Sequence, residues 1–470
     1  MNHSAAFRAR LEAAVGTAGI LSDPADTAPY VTDWRHQYQG RAFAVVRPRS
    51  TDEVASVVHA CNEFGMPIVP QGGNTGQCGG ATPDASGNAV LLSLNRMTSV
   101  RAIDPQNATI TVDAGVVLAD VQQAAAQAGL YFPLSLGAEG TCTIGGNLST
   151  NAGGTAVLRF GNARDLVLGI EVVLADGRVW DGLRGLRKDN SGYDLKQLFI
   201  AAEGTLGIIT AAVLKLFPAP RSRATGLLAI ADPDAALMLL AELLQELGSR
   251  LVGFELMSAF SQALSRKHFP ALPDPLPGHP WYVLVQVEDS AADYPLAGHL
   301  ERALERLLGQ GLVRHGTIAQ SETQAGTLWA IRTSIAEAQR REGPDIKHDI
   351  SLPVSAIPGF LAEAALALRQ AIPGARIAAF GHLGDGNLHY DVSAPEDGDS
   401  KAFGANITAV NHIVHDLCAA RAGSISAEHG IGQLKRGELI RYKSAVELEL
   451  MRRLKSALDP QAILNPGKLL

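Results

Sequence analysis

The sequence predicts an α+β protein with two main domains and a short C-terminal helical segment. Three observations carry that expectation. The chain has 470 residues, more than one hydrophobic core usually supports. Short β-type runs alternate with helical runs up to Leu216, where Pro218 and Pro220 interrupt the pattern. The region that follows has amphipathic helices, strands and a hairpin of its own. The expected divisions are 1–218, 219–425 and 426–470, the middle one built on an antiparallel sheet.

In the first domain, Phe43–Arg47 reads as a strand. Ser50 or Thr51 then caps a helix through Val54, Val57 and Val58 toward Phe64, with Asp52 and Glu53 where the helix dipole prefers them. Met66–Pro70, Val90–Leu94 and Thr109–Asp113 are further strands, and a helix from Leu118 to Ala128 stops at Gly129. Residues 133–154 form a long Gly/Ser/Asn/Thr stretch. Loops of that length inside a folded domain tend to be functional. A hairpin follows around Asp176-Gly177, and Leu206–Leu216 closes the domain. Beyond Pro220 the pattern gives helices over Asp232–Leu247 and Ala297–Leu308, another through Trp329 and Ile335, and one over Pro358–Gln370. It also gives a strand over Trp281–Glu288 and a hairpin over Ile377–Val392. The tail reads as helix followed by an Asn465-Pro466-Gly467-Lys468 turn.

Composition narrows the function. The net charge is −7, with no basic run, so nucleic acid is not an expected partner. Four well-separated cysteines, Cys61, Cys78, Cys142 and Cys418, form no CxxC pair, which argues against thiolate metal clusters and a disulfide framework. A cytoplasmic location is the expectation. No secretory signal and no apolar stretch of membrane-spanning length is present.

Glycine is over-represented, at 48 residues, and the glycines cluster. Successive backbone N–H groups can converge on phosphate where no Cβ intervenes. Gln71-Gly72-Gly73-Asn74-Thr75-Gly76 follows a strand. Two loops of similar make-up occur at 136–147 and 203–208. Together they point to an extended phosphate-bearing cofactor. No GxGxxG with a downstream acidic residue and no GxxxxGK[ST] is found, so neither a Rossmann NAD site nor a P-loop is supported.

Two histidines stand out in Phe380-Gly381-His382-Leu383-Gly384-Asp385-Gly386-Asn387-Leu388-His389. A two-residue turn at Asp385-Gly386 would pair Gly384 with Asn387 and His382 with His389. Directly opposed Cβ atoms lie about 4.5–5.5 Å apart, close enough for one divalent ion. A pair of surface histidines beside a tight turn is the competing reading. Glu428 and His429 are adjacent in Ser426-Ala427-Glu428-His429-Gly430, and in extended chain they point in different directions. His412 and His415 share a helix, and a solvated face is expected for them. His348 beside Lys347 is open to either reading.

PIVPQGGNTGQCGG, GTCTIGGNLSTNAGG, KDNSGYDLKQLFIAAEGTLGIIT, GHLGDGNLH, AEHG and the terminal LNPGK resemble the FAD-binding flavoproteins of the vanillyl-alcohol oxidase / p-cresol methylhydroxylase type. Within them they resemble the D-2-hydroxy acid dehydrogenases, above all the D-2-hydroxyglutarate branch. The resemblance spans nearly the whole chain. It implies a two-part FAD-binding domain and an α+β substrate (cap) domain, and non-covalent FAD because the first loop has no histidine. By resemblance, Pro70, Gly72, Gly73, Asn74, Thr75 and Gly76 meet the pyrophosphate. Gly140, Thr141, Gly145, Gly146 and Asn147 line the flavin arm, and Ile208 and Asn465 complete the cofactor site.

The same resemblance assigns His382, His389 and Glu428 to a divalent metal, with Zn²⁺ favoured and Mn²⁺ also suited, and His429 to the role of catalytic base. It assigns Arg332, Lys347, Asn387 and Asp391 to the substrate, a small 2-hydroxy acid. Ala336 and Asp391 depart from the hydroxyglutarate pattern, where a hydroxyl residue and an asparagine are usual. The expected reaction is oxidation to the 2-oxo acid by hydride transfer to flavin, with an external acceptor such as electron-transfer flavoprotein or quinone. A homodimer is compatible with the sequence. D-lactate or glycolate dehydrogenases of the same fold, or a flavin electron-transfer subunit, are the alternatives.

Overall fold

Local sequence signals set the helices. In the computed structural model, which describes residues 3–396 and 403–470, Ser50 caps the helix Thr51–Phe64 by accepting from the Glu53 N–H at 3.2 Å. Gly65 ends that helix in the left-handed region, at φ 65°, where glycine has no Cβ penalty. Val54, Val57, Val58 and Cys61 form its buried stripe. Asp232 caps Pro233–Leu247 in the same way, bonding the Ala235 N–H at 2.8 Å, and Leu239, Leu240, Leu243 and Leu247 face the core.

The chain divides into two units. The first comprises Met1–Gly153, Asn162–Ala219 and Glu428–Leu470, and the second Gly154–Gly161 and Pro220–Ala427. One of the passages between the units is at Ala219/Pro220. Two details differ from the sequence expectation. The tail is not a separate segment. Its Ile463 carbonyl accepts from the Ile68 N–H and its Asn465 N–H donates to the Ile68 carbonyl, both at 2.7 Å, so it lies beside the strand Ile68–Gln71. Residues 154–161 fold with the second unit, where Leu158 packs on Gly384 and Arg159 bonds the Glu288 carbonyl at 3.1 Å.

The first unit contains two main sheets. One has the strand order Ile20–Leu21, Ala44–Val46, Val90–Ser93, Ile68–Gln71, with the last three parallel. The other is antiparallel, in the order Val100–Asp104, Thr109–Asp113, Ile208–Lys215, Val167–Val173, Val179–Gly182. The hairpin at Asp176-Gly177 is present, closed by the Leu174 N–H bonding the Arg178 carbonyl at 2.9 Å. The polar stretch 133–154 contains a short helix, Ile144–Ser149, that its glycines hide from periodicity arguments.

The second unit is organised on one large antiparallel sheet. Its order is His315–Ile318, Ser222–Ile230, Trp281–Asp289, Leu251–Ser258, Arg376–His382, Asn387–Ser393, Asp345–Ile346, and Asp349–Ser351 also pairs with Asn387–Ser393. Successive side chains alternate between faces. Phe254, Leu256, Val283 and Val285 join one core with the helices Pro233–Leu247, Leu296–Gly309 and Ile357–Ala371. Met257, Tyr282, Leu284 and Phe380 face the helix Glu322–Thr333 through Leu328 and Ile331. The single helix expected through Trp329 and Ile335 is two, broken at Ser334. Among the described residues no helix is long and apolar enough to cross a membrane. All four cysteines are buried thiols without a disulfide.

Candidate active site

In the first unit, the strand Ile68–Gln71 delivers the loop that begins at Gly72. Gln71 is buried and donates from Nε2 to the carbonyls of Tyr30 (2.8 Å) and Ala81 (2.9 Å), which fixes the loop's start. Asn74 adopts φ 54° and donates its side-chain amide to the carbonyls of Thr32 (2.9 Å) and Pro29 (3.2 Å). Its side chain therefore staples the loop to the C-terminal end of the helix Pro24–Val31.

The glycines of the cofactor loops fall into two groups. A Cβ on Gly73 would lie 2.0 Å from the Thr141 carbonyl oxygen, one on Gly72 2.3 Å from Thr143 Oγ1, and one on Gly145 2.7 Å from Ala114 Cβ. These three permit loop to pack on loop. Gly76 and Gly140 have nothing within 4 Å of the Cβ position, and there backbone is open to a ligand. Buried Thr143 Oγ1, beside Gly72, and Asn465 Oδ1, on a side chain bonded to the Gly80 and Glu203 carbonyls, have no protein hydrogen-bond partner. That combination fits a long, polar cofactor.

Asn465 Nδ2 ties the tail to the carbonyls of Gly80 (3.0 Å) and Glu203 (2.7 Å). Pro70 lies under Gly204, whose Cβ would come within 2.4 Å of its ring. The Ile208 side chain is buried in the core with Ile68 and Leu464.

The segment that starts at Glu428 is anchored by a residue that motif reading left without a role. Glu203 accepts from the N–H groups of Ile431 (2.7 Å) and Gly432 (2.8 Å), and burial pushes its pKa up. Glu428 itself lies against Gly153, where a Cβ would meet its Oε1 at 2.7 Å.

In the second unit the histidine hairpin has a different register from the one expected. His389 is opposite Phe380, not His382, and His382 is opposite Glu255 on the next strand. The turn is wider than two residues: a 3₁₀ turn at Leu383–Asp385, then Gly386 at φ 86°. A Cβ on Gly386 would lie 2.2 Å from the Leu352 carbonyl oxygen, which keeps this tip tight against the neighbouring backbone. The shift is two residues, so the side-chain face is preserved. The imidazoles still meet, with ring centroids 6.2 Å apart.

Each histidine has a buried carboxylate directly across the sheet. Glu255 Oε1 accepts from His382 Nδ1 at 2.5 Å, and Asp349 Oδ1 is 3.8 Å from His389 Nδ1. Glu255 Oε2 also accepts from Arg332 Nε at 2.8 Å. Burial alone would raise the Glu255 pKa, but His382 and Arg332 hold it down to about 2. Neither carboxylate belongs to a recognisable motif. The available signal was one acidic residue in the otherwise apolar run Leu251–Met257.

Of the expected substrate residues, Arg332 bonds Glu255 and Asn387 bonds Asp349. The Arg332 guanidinium is 4.8 Å from the Phe380 ring centroid, a stacking that orients it. Asn387 donates from Nδ2 to Asp349 Oδ1 (2.9 Å) and the Ile350 carbonyl (3.1 Å). Its buried Oδ1 has no protein partner and can accept from a ligand. Lys347 Nζ is 2.8 Å from Asp345, 3.2 Å from Gln339 Oε1 and 3.6 Å from Asp391, so its charge is already compensated. Asp391 is buried and accepts from the His348 N–H at 2.9 Å, and burial pushes its pKa up to about 6.

His348 and His415 are interior residues. The solvated face expected for His415 is not what forms: it is buried and packs edge-on to His348, with ring centroids 5.4 Å apart. Val410, Val414 and Cys418 make that face of the helix Ile407–Ala419 apolar. Glu428 and His429 begin immediately after Ala427, whose N–H donates to the Asp349 carbonyl at 3.2 Å.

Residues 42–182 match the family described as FAD binding domain, and residues 219–469 match FAD linked oxidases, C-terminal domain. The chain belongs to the FAD-linked oxidases. As a family member it is a flavoprotein, and its first unit carries the FAD-binding domain. It is 40% identical to the mitochondrial D-2-hydroxyglutarate dehydrogenase of Bos taurus over 452 residues, which is 96% of this chain and 81% of that protein. It is 38% identical to the D-2-hydroxyglutarate dehydrogenase of Xanthomonas citri pv. viticola over 460 residues, 98% and 96% of the two chains. The crystal structure of p-cresol methylhydroxylase with substrate bound superposes with a TM-score of 0.75 at 18% identity, covering 100% of this chain and 97% of that one. That likeness establishes the p-cresol methylhydroxylase-type fold.

Proposed function

We propose that this FAD-linked oxidase is a divalent-metal-dependent dehydrogenase that converts a D-2-hydroxy acid to the 2-oxo acid, with D-2-hydroxyglutarate or a similar dicarboxylate as substrate. The observation that carries the metal is the His382–His389 pair, each ring backed by a buried carboxylate. Metal-binding histidines characteristically donate their second nitrogen to such a group. The relatives named above support the substrate class.

His382, His389 and Glu428 would hold the ion, with Zn²⁺ favoured. A bound divalent ion lowers the pKa of a coordinated hydroxyl, and FAD supplies the hydride acceptor. The chain's own residues do the rest. Arg332 takes the substrate carboxylate with its terminal nitrogens, Asn387 lines the substrate position, and His429 removes the hydroxyl proton. Lys347 meets a second carboxylate. Electrons then leave to an external acceptor such as electron-transfer flavoprotein or a quinone.

A monocarboxylate such as D-lactate is the second reading. It is favoured by one observation, the compensation of Lys347 by Asp345 and Asp391. Anaerobic bleaching of the bound flavin by a panel of D-2-hydroxy acids, with and without chelator, tests both. Bleaching by D-2-hydroxyglutarate that chelator abolishes is expected. Faster bleaching by D-lactate would remove the dicarboxylate assignment. Bleaching untouched by chelator, or by His429→Ala, would remove the metal-and-base mechanism.

A further inference from the structure

Glu255 lies in a strand, Leu251–Ser258, whose eight residues are all buried. Its neighbours on that sheet face are Met257, Tyr282, Leu284 and Phe380. A carboxylate in such a place is costly unless paired and hydrogen-bonded. A well-packed apolar residue there would generally be at least as stable as a buried ion pair, so stability does not account for it.

What Glu255 does is join two functional groups. Oε1 receives His382 Nδ1 at 2.5 Å and Oε2 receives Arg332 Nε at 2.8 Å. Cross-strand register places it opposite His382, so the first contact is built into the sheet. With its hydrogen directed from Nδ1 to Glu255, the imidazole presents Nε2 for ligation. Because Arg332 meets Glu255 through Nε, its two Nη groups remain as the fork suited to a carboxylate. The Phe380 ring, 4.8 Å from the guanidinium carbon, holds that plane. The second histidine repeats only the register: Asp349 is opposite His389 with its Oδ1 3.8 Å from Nδ1, beyond hydrogen-bond distance, and is itself fixed by Asn387 at 2.9 Å.

We propose that Glu255 is a positioning residue that sets the His382 tautomer for metal binding and the Arg332 fork for the substrate carboxylate, coupling the two through one side chain. The inference rests on the metal-dependent reading above. It predicts that a change at Glu255 moves metal affinity and substrate KM together.

The test uses the full-length FAD-loaded protein and Glu255→Gln. A competing chelator reads out Zn²⁺ affinity, and steady-state rates at saturating Zn²⁺ read out KM and kcat. The expected result is a roughly 10–100-fold loss of Zn²⁺ affinity, the range typical of a ligand's orienting partner. With it should come a raised KM for D-2-hydroxyglutarate and unchanged flavin content. Wild-type Zn²⁺ affinity in a flavin-loaded Glu255→Gln protein would overturn the proposal, and so would a wild-type KM. If the wild-type protein itself takes up no Zn²⁺, the metal-dependent reading fails first and the coupling falls with it. Should Glu255→Gln not fold, ¹⁵N histidine shifts of Zn²⁺-loaded wild type decide the matter. A proton on His382 Nδ1 with Nε2 ligated supports the proposal, and the reverse tautomer overturns it.

Discussion

In the FAD-binding unit the working surface is made by backbone meeting backbone. In the second unit it is made by charged side chains meeting inside an apolar sheet. Gly72, Gly73 and Gly145 let loops approach to distances that a Cβ would forbid, while Gly76 and Gly140 leave backbone open. Glu255, Arg332 and His382 form a buried chain whose charges are affordable only because each meets another. A backbone cradle tolerates side-chain change except where glycine is sterically required. A buried charge network is destabilised when one member is removed and its partner stays buried and charged.

The largest expected effect is on the cradle. Gly73→Ala puts a methyl 2.0 Å from the Thr141 carbonyl oxygen, so the two loops must separate and most of the bound flavin should be lost. Gly76→Ala, with open space at its Cβ, should keep flavin. Absorbance-based flavin stoichiometry of the two purified proteins makes the comparison. Equal flavin content would show that loop closure does not depend on the glycines.

Next is the charge network. Arg332→Met leaves Glu255 buried with one partner gone, which should cost about 3 kcal/mol in urea unfolding and sharply raise KM. A loss below about 1 kcal/mol would mean that the pair behaves like a surface ion pair.

A smaller effect is expected at the far end of the site. Asp391 lies 3.6 Å from Lys347, so Asp391→Asn should release part of the lysine's charge. KM for D-2-hydroxyglutarate should fall relative to that for D-lactate. An unchanged ratio would separate Lys347 from substrate choice.

The smallest effect concerns pH. Burial raises the Glu342 pKa, but Lys267, His268 and Arg376 outweigh it and hold the carboxylate at about 2, below its ordinary 4.5. A depressed carboxylate stabilises the fold fully above the unfolded value and loses that contribution as pH falls through the folded one. Glu342→Gln should therefore flatten the stability profile between pH 4.5 and about 2. An identical acid limb in the variant would show that the network contributes nothing.

In both units, the elements set by local signals were legible. Ser50 and Asp232 cap helices within three residues of themselves, and Gly65 ends one by its own φ. The glycine loops stand out by composition, and Pro218 and Pro220 interrupt the strand-and-helix pattern. The histidine hairpin was half legible. Strand alternation put His382 and His389 on one face, but the turn sets the register, and Leu383–Asp385 winds into a 3₁₀ turn instead of ending at two residues.

The residue order alone carried the clustering of glycines, the strand and helix periodicities, and the placing of His382 and His389 on one face. Each of those depends on neighbours a few positions away. Only the tertiary structure decided that Glu255 faces His382 across 127 positions of chain and that Asp349 backs His389. Only it showed that His415 is buried and that the tail through Asn465 belongs with the first unit. Pairing between distant strands depends on sheet order and register, which no short window of sequence contains.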